Sequence, residues 1–162
     1  MNMKIFIRVF AVISILISAC TKTDIDPSKA VAGSSIDEAT ILKTRSSLLV
    51  AHPWMYQEYD FHYVDQHHRG DIQYLRGGTN NVIDLDETRI TFRKDGTCVE
   101  LDGGFKYHGT WHFSDNTATL LIVDFTNWVD KDSILVLNNN HLKYTEPMGY
   151  HDKSYTELIT AQ

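Results

Sequence analysis

Residues 90–113 read "ITFRKDGTCVELDGGFKYHGTWHF", and the alternation in this stretch decides the fold. Two turn signals, Asp95-Gly96 and Asp102-Gly103-Gly104, divide it into three short runs rich in Ile, Val, Thr, Phe and Trp. Runs of this kind form antiparallel hairpins, because strand side chains point to alternate faces. A two-residue turn at Asp95-Gly96 predicts Phe92 opposite Val99 and Ile90 opposite Leu101, with Arg93 opposite Cys98 on the other face. A three-residue loop at Asp102-Gly103-Gly104 then predicts Leu101 opposite Phe105, Val99 opposite Tyr107, and Glu100 paired with Lys106. The expected inner face is Ile90, Phe92, Val99, Leu101, Phe105, Tyr107, Trp111 and Phe113, with Gly109 leaving a gap. Cys98, His108 and His112 are expected on the outside.

That register also decides against a metal site in the stretch. His108 and His112 are four residues apart on one strand, roughly 13 Å at ~3.3 Å per residue, too far for one ion. Cys98 and His108 would face each other, but structural zinc takes four ligands, and Arg93 would repel a cation. An exposed Cys98 thiol beside Arg93 would instead be partly activated.

The pattern continues in both directions. Further turn signals lie at Ser114-Asp115-Asn116, Asp130-Lys131-Asp132 and Asn138-Asn139-Asn140. They predict Trp111 opposite Leu120, Gly109 opposite Ile122, Leu137 opposite Leu142, and Leu135 opposite Tyr144. "ATLLIVDF" is apolar on both faces, so Leu121, Val123 and Phe125 are expected to be covered or to form an outer patch. "WMYQEYDF" changes phase, which a bulge near Gln57-Glu58 would reconcile, and "KSYTELIT" supplies a last strand to close on it. The expected fold is all-β: an antiparallel up-and-down barrel of about eight strands with a short N-terminal helix.

"LLVAHPWMYQEY", "ITFRKDGTCVE", "GTWHF" and "ILVLNNNHLKYTE" together resemble the lipocalin-like domain of small bacterial lipoproteins. The resemblance runs from about Leu48 to the C-terminus and implies a lipocalin-like barrel. Lipocalins place Gly-x-Trp in the first strand; here that position reads His52-Pro53-Trp54, and Gly109-Thr110-Trp111 sits mid-domain.

The chain opens "MNMKIFIRVFAVISILISAC", with Lys4 and Arg8 ahead of an apolar run too short to span a bilayer. The "LISAC" ending resembles a bacterial lipobox, which implies lipidation of Cys20. Residues 1–19 are thus expected to be a signal peptide, 20–35 a polar tether, 36–47 a helix with Ser35 as its cap, and 48–162 the barrel. Loss of Lys4 and Arg8 takes the formal charge from −6 to −8. An acidic body held at a membrane through lipid alone is expected in the bacterial cell envelope, with no nucleic acid as partner.

The long polar segment 60–81 holds His62, Asp65, His67 and His68, weak metal candidates whose spacing matches no ligand motif. Asp84, Asp86 and Glu87 fall in a turn, and Glu58 is expected on the outside. No hydrolase elbow, phosphate-cradling loop or metalloprotease helix is present in the sequence, so no enzyme and no cofactor is expected. The leading expectation is a barrel that binds a small apolar molecule at its mouth, lined by Trp54, Tyr56, Tyr107, Gly109 and Trp111. The alternative is a module that engages an envelope protein through segment 60–81 and the outer patch.

Overall fold

The structure, a computed structural model, describes residues 36–64, 69–149 and 152–161. Among them one helix, α1 (Glu38–Leu49), precedes nine strands. These are β1 (Trp54–Phe61), β2 (Asp71–Leu75), β3 (Arg89–Phe92), β4 (Thr97–Asp102), β5 (Phe105–Phe113), β6 (Leu120–Phe125), β7 (Trp128–Leu137), β8 (His141–Met148) and β9 (Asp152–Thr160).

From β3 to β9 each strand pairs antiparallel with the next. β9 then pairs along β1 from Trp54 to Asp60, and Trp54 and Met55 pair with β3 on the opposite edge. The ring of eight strands is closed, which leaves no sheet edge along it open. β2 is the extra strand: it pairs with β1 from Glu58 to Phe61, continuing the edge that β3 begins. The segment expected to be a connection therefore contains a strand. The phase change in β1 is a bulge at Gln57, where pairing with β9 skips from Tyr56 to Glu58.

Helix α1 is capped by Asp37, not Ser35; the Asp37 carboxylate accepts from the Thr40 amide at 2.7 Å. At the other end the Trp54 indole N–H donates to the Leu49 carbonyl at 2.9 Å. That bond satisfies one of the carbonyls a helix end leaves free and fixes the helix to the barrel beside it.

The hairpin registers differ from expectation, and the two loop lengths are exchanged. Arg93 and Thr97 flank a three-residue loop in which Gly96 takes φ +82°; the Arg93 amide donates to the Thr97 carbonyl at 2.8 Å. The Asp95 side chain accepts from both the Thr97 amide (3.0 Å) and the Thr97 hydroxyl (2.7 Å), which holds this turn closed. The next loop is only Gly103-Gly104, both with positive φ, the geometry of a two-residue hairpin turn. Phe92 accordingly pairs with Cys98 and Ile90 with Glu100, while Cys98 pairs with Gly109 and Glu100 with Tyr107. The two slips add to a two-residue shift between β3 and β5, which keeps their faces, so only β4 turns over.

The consequences follow along β4. Cys98 is 1% exposed and belongs to the core, not to the outer face. Burial pushes its thiol up to about 11, so the activated thiol expected beside Arg93 does not exist. Leu101 is 41% exposed, Val99 is buried but lies outside the interior core cluster, and Lys106 pairs with Leu101 rather than Glu100. Phe105 is 69% exposed at the hairpin tip. His108 and His112 are exposed.

β6 and β7 bring further corrections. Trp111 pairs with Val123 and Gly109 with Phe125, so Leu121, Val123 and Phe125 lie in the core and form no outer patch. Leu137 pairs with Leu142, but a bulge at Leu135 sets Ile134 against Tyr144 and leaves Leu135 exposed. Asp130, Lys131 and Asp132, read as a turn, are consecutive residues inside β7.

Candidate functional site

The barrel interior is unlike at its two ends. At the end next to α1, Leu49, Trp54, Phe92, Trp111, Leu121 and Leu142 pack with Cys98 into a continuous apolar core. Gly109 leaves no gap there. A Cβ on it would meet the Asp124 carbonyl oxygen at 2.6 Å and the Phe125 ring at 2.8 Å, so glycine lets β6 approach closely.

Towards the other end a cavity of about 260 Å³ opens. Four carboxylates line it: Glu100 from β4, Asp130 and Asp132 from β7, and Glu146 from β8. Aromatic walls come from Tyr56 and Tyr59 of β1, Trp128 of β7 and Tyr144 of β8; Thr156 of β9 and Ile83 and Leu85 from the β2–β3 connection complete the lining. No lysine, arginine or histidine is among these residues.

The backbone explains why these side chains converge. Turning β4 over by one residue brings Glu100 to the inside between Cys98 and Asp102. In β7 alternate residues face inward, which places Trp128, Asp130 and Asp132 inside above Ile134. Asp132 pairs across to Leu121 of β6. On its other side Ser133 pairs with Thr145, which sets Asp132 beside Glu146. The Gln57 bulge moves β1 by one residue, so both Tyr56 and Tyr59 reach the cavity.

Burial governs the protonation of this group, because removing a carboxylate from water disfavours its charged form. Burial, with the charges of Asp102 and Asp130, pushes Glu100 up to about 7. Asp132 is held well above the usual carboxylate range by burial first, then by Asp130 and Glu146. Burial also raises Glu146, with a contribution from Asp130, and raises Asp130 against the hydrogen bond Trp128 makes to it. Burial raises the Tyr56 and Tyr144 phenols well above their usual range, with nearby carboxylates adding to the effect. The Asp132 Oδ1 is buried and has no hydrogen-bond partner among the described residues.

The residues expected to line a mouth are divided by the fold. Tyr56 does line the cavity, whereas Trp54 is fully buried under the helix end and Trp111 packs in the apolar core, its indole N–H donating to the Arg93 carbonyl at 2.9 Å. Tyr107 packs edge-on against Trp128 at 5.3 Å between centroids. Glu58 forms an ion pair with Arg69 away from the cavity. Asp86 accepts a hydrogen bond from the Tyr74 hydroxyl at 2.7 Å. His62 is exposed and sits 3.1 Å from Asp152. No group of three His, Cys, Asp or Glu among the described residues is arranged to hold a metal ion. Cys20, Asp65, His67 and His68 lie outside the described residues. Sequence reading missed Glu100 because of the register, and Asp130 and Asp132 because two aspartates around a lysine read as a turn. Trp128-Val129 directly before "DKD" and Ile134-Leu135-Val136-Leu137 shortly after it, with the turn residue Asn127 lying ahead of the whole run, were the signal for a continuous strand.

No protein-family model matches the chain, and neither does any curated protein. Among solved structures, the chain is similar to a DUF4847 family protein from Bacteroides vulgatus, with a TM-score of 0.50 and 16% sequence identity. The match covers 70% of this chain and 95% of that one. At this identity the likeness concerns the fold.

Proposed function

We propose that this chain is a non-enzymatic, lipocalin-like binding barrel of the bacterial cell envelope, tethered through a lipid on Cys20 and taking one small ligand inside. The observation that carries the binding reading is the cavity of about 260 Å³ at one end of an otherwise filled, closed barrel. The cavity lies just under the roughly 300 Å³ at which ligand pockets usually begin, so its rigid strands and aromatic walls suit only a very small molecule. The tether reading rests on the "LISAC" leader. The polar lining moves the ligand away from the apolar molecule that the sequence suggests.

Native mass spectrometry of the full chain, released from membranes in a neutral detergent, tests the binding reading. A retained small molecule that is lost from a Thr156→Phe variant, which narrows the cavity, is the expected result. An unchanged bound mass in that variant, or none in the wild type, overturns it. Loss of membrane attachment in Cys20→Ala is expected alongside, and attachment of that variant in cell fractionation refutes the lipid tether.

A further inference from the structure

We infer that the ligand is a small organic cation, an ammonium or amidinium-type group, whose charge is met by Asp132 at the floor of the cavity. The inference rests on the binding reading above and deepens it. Its first support is charge: four carboxylates and no basic side chain line one cavity. A carboxylate cluster alone can be a solvated surface, but Asp132 is not on the surface. It is 3% exposed, it lines the cavity, and its Oδ1 lacks any hydrogen-bond partner among the described residues. Buried polar groups are almost always paired, so a buried carboxylate that lines a cavity with one oxygen left unpaired is short of a donor.

The walls suit the same ligand. Tyr56, Tyr59, Tyr144 and Trp128 present aromatic surface, which favours cations over neutral groups in a partly dry site. A bare metal ion is not the fit, because no three carboxylates converge on one point among the described residues. Volume sets the size: about 260 Å³ is the space of roughly nine waters at ~30 Å³ each, enough for one ring or a short chain bearing the charge. Carboxylates that are partly protonated when the site is empty give up protons as the cation enters, so binding releases protons to the buffer.

Isothermal titration calorimetry on the full chain in neutral detergent tests this with three molecules of one shape: 2-phenylethylamine, 2-phenylethanol and phenylacetate. The amine is expected to bind at least ten-fold more tightly than the alcohol, and the carboxylate not at all. Asp132→Asn is expected to remove that preference, Glu146→Gln to weaken it, and Asp124→Asn, on an exposed site of β6, to leave it unchanged. Thermal melts of each variant verify folding, and Glu146→Gln keeps the test decisive should Asp132→Asn fail to fold. Binding of the alcohol or carboxylate as tightly as the amine overturns the cation assignment while the binding barrel stands. So does an amine preference that survives both substitutions. No binding by any of the three overturns the cation assignment, while the retained mass in native mass spectrometry decides the binding reading separately.

Discussion

The two ends of the barrel interior are built on the same strands yet obey opposite rules. Near α1, Trp54, Phe92, Cys98, Trp111 and Leu121 are packed without a cavity, and each buried polar atom of the tryptophans has a backbone acceptor. Two residues from Trp54, Cys98 and the core residue Ile134, along β1, β4 and β7, Tyr56, Glu100 and Asp132 border open space, and a carboxylate oxygen goes unpaired. The first end follows the chemistry of a stable core. The second sets carboxylates against each other where burial disfavours their charged forms, at a cost in stability. Such an arrangement is better suited to holding something than to holding the fold.

Substitutions should separate the ends by sign. Trp54→Ala, at the packed end, removes a fully buried ring and its bond to Leu49 and should destabilise the chain by about 3–5 kcal/mol in urea melts. Gly109→Ala should cost ~1–3 kcal/mol, because its methyl meets the Asp124 carbonyl and the Phe125 ring. Asp132→Leu, at the open end, should do the reverse and stabilise the ligand-free chain by on the order of 1 kcal/mol at pH 8. A loss in that variant as large as that of Trp54→Ala would erase the distinction between the ends.

Acidity sharpens the contrast further. Glu100 faces Asp102 and Asp130 and is raised from 4.5 to about 7 in the folded chain. Between those two values the folded state holds more protons than the unfolded state, so its stability falls as pH rises. The contribution is fully present below about 4.5 and lost as pH passes through about 7. Chemical denaturation at pH 5 and pH 8 should show this decline in the ligand-free wild type, and Glu100→Gln should lessen it, while Asp130, Asp132 and Glu146, raised in the same sense, keep the remainder. The smallest effect belongs to Cys98, whose thiol should stay unlabelled by a thiol reagent in the folded chain and react only in denaturant. Rapid labelling of folded protein would return β4 to the exposed register.

Much of the architecture is legible without coordinates. Period-two alternation and recurrent turn residues specify strands of this length, and the phase change in "WMYQEYDF" specifies a bulge where Gln57 has one. Closure of the last strand on the first follows from the same count of strands. These features depend on neighbours in the chain, and short-range sterics determine them. The face of β4, by contrast, turns on whether Asp95-Gly96 and Gly103-Gly104 make loops of three and two residues or of two and three. Both choices satisfy the local turn chemistry. Only the packing of β3 and β5 around β4 chooses between them, burying Cys98 and bringing Glu100 inside. The same holds for β7, where "DKD" reads as a turn until Val123, Ile122 and Leu121 of β6 pair with its three residues. The acidic cavity therefore exists in no single segment: it is made by carboxylates from three strands that only closure of the barrel brings together.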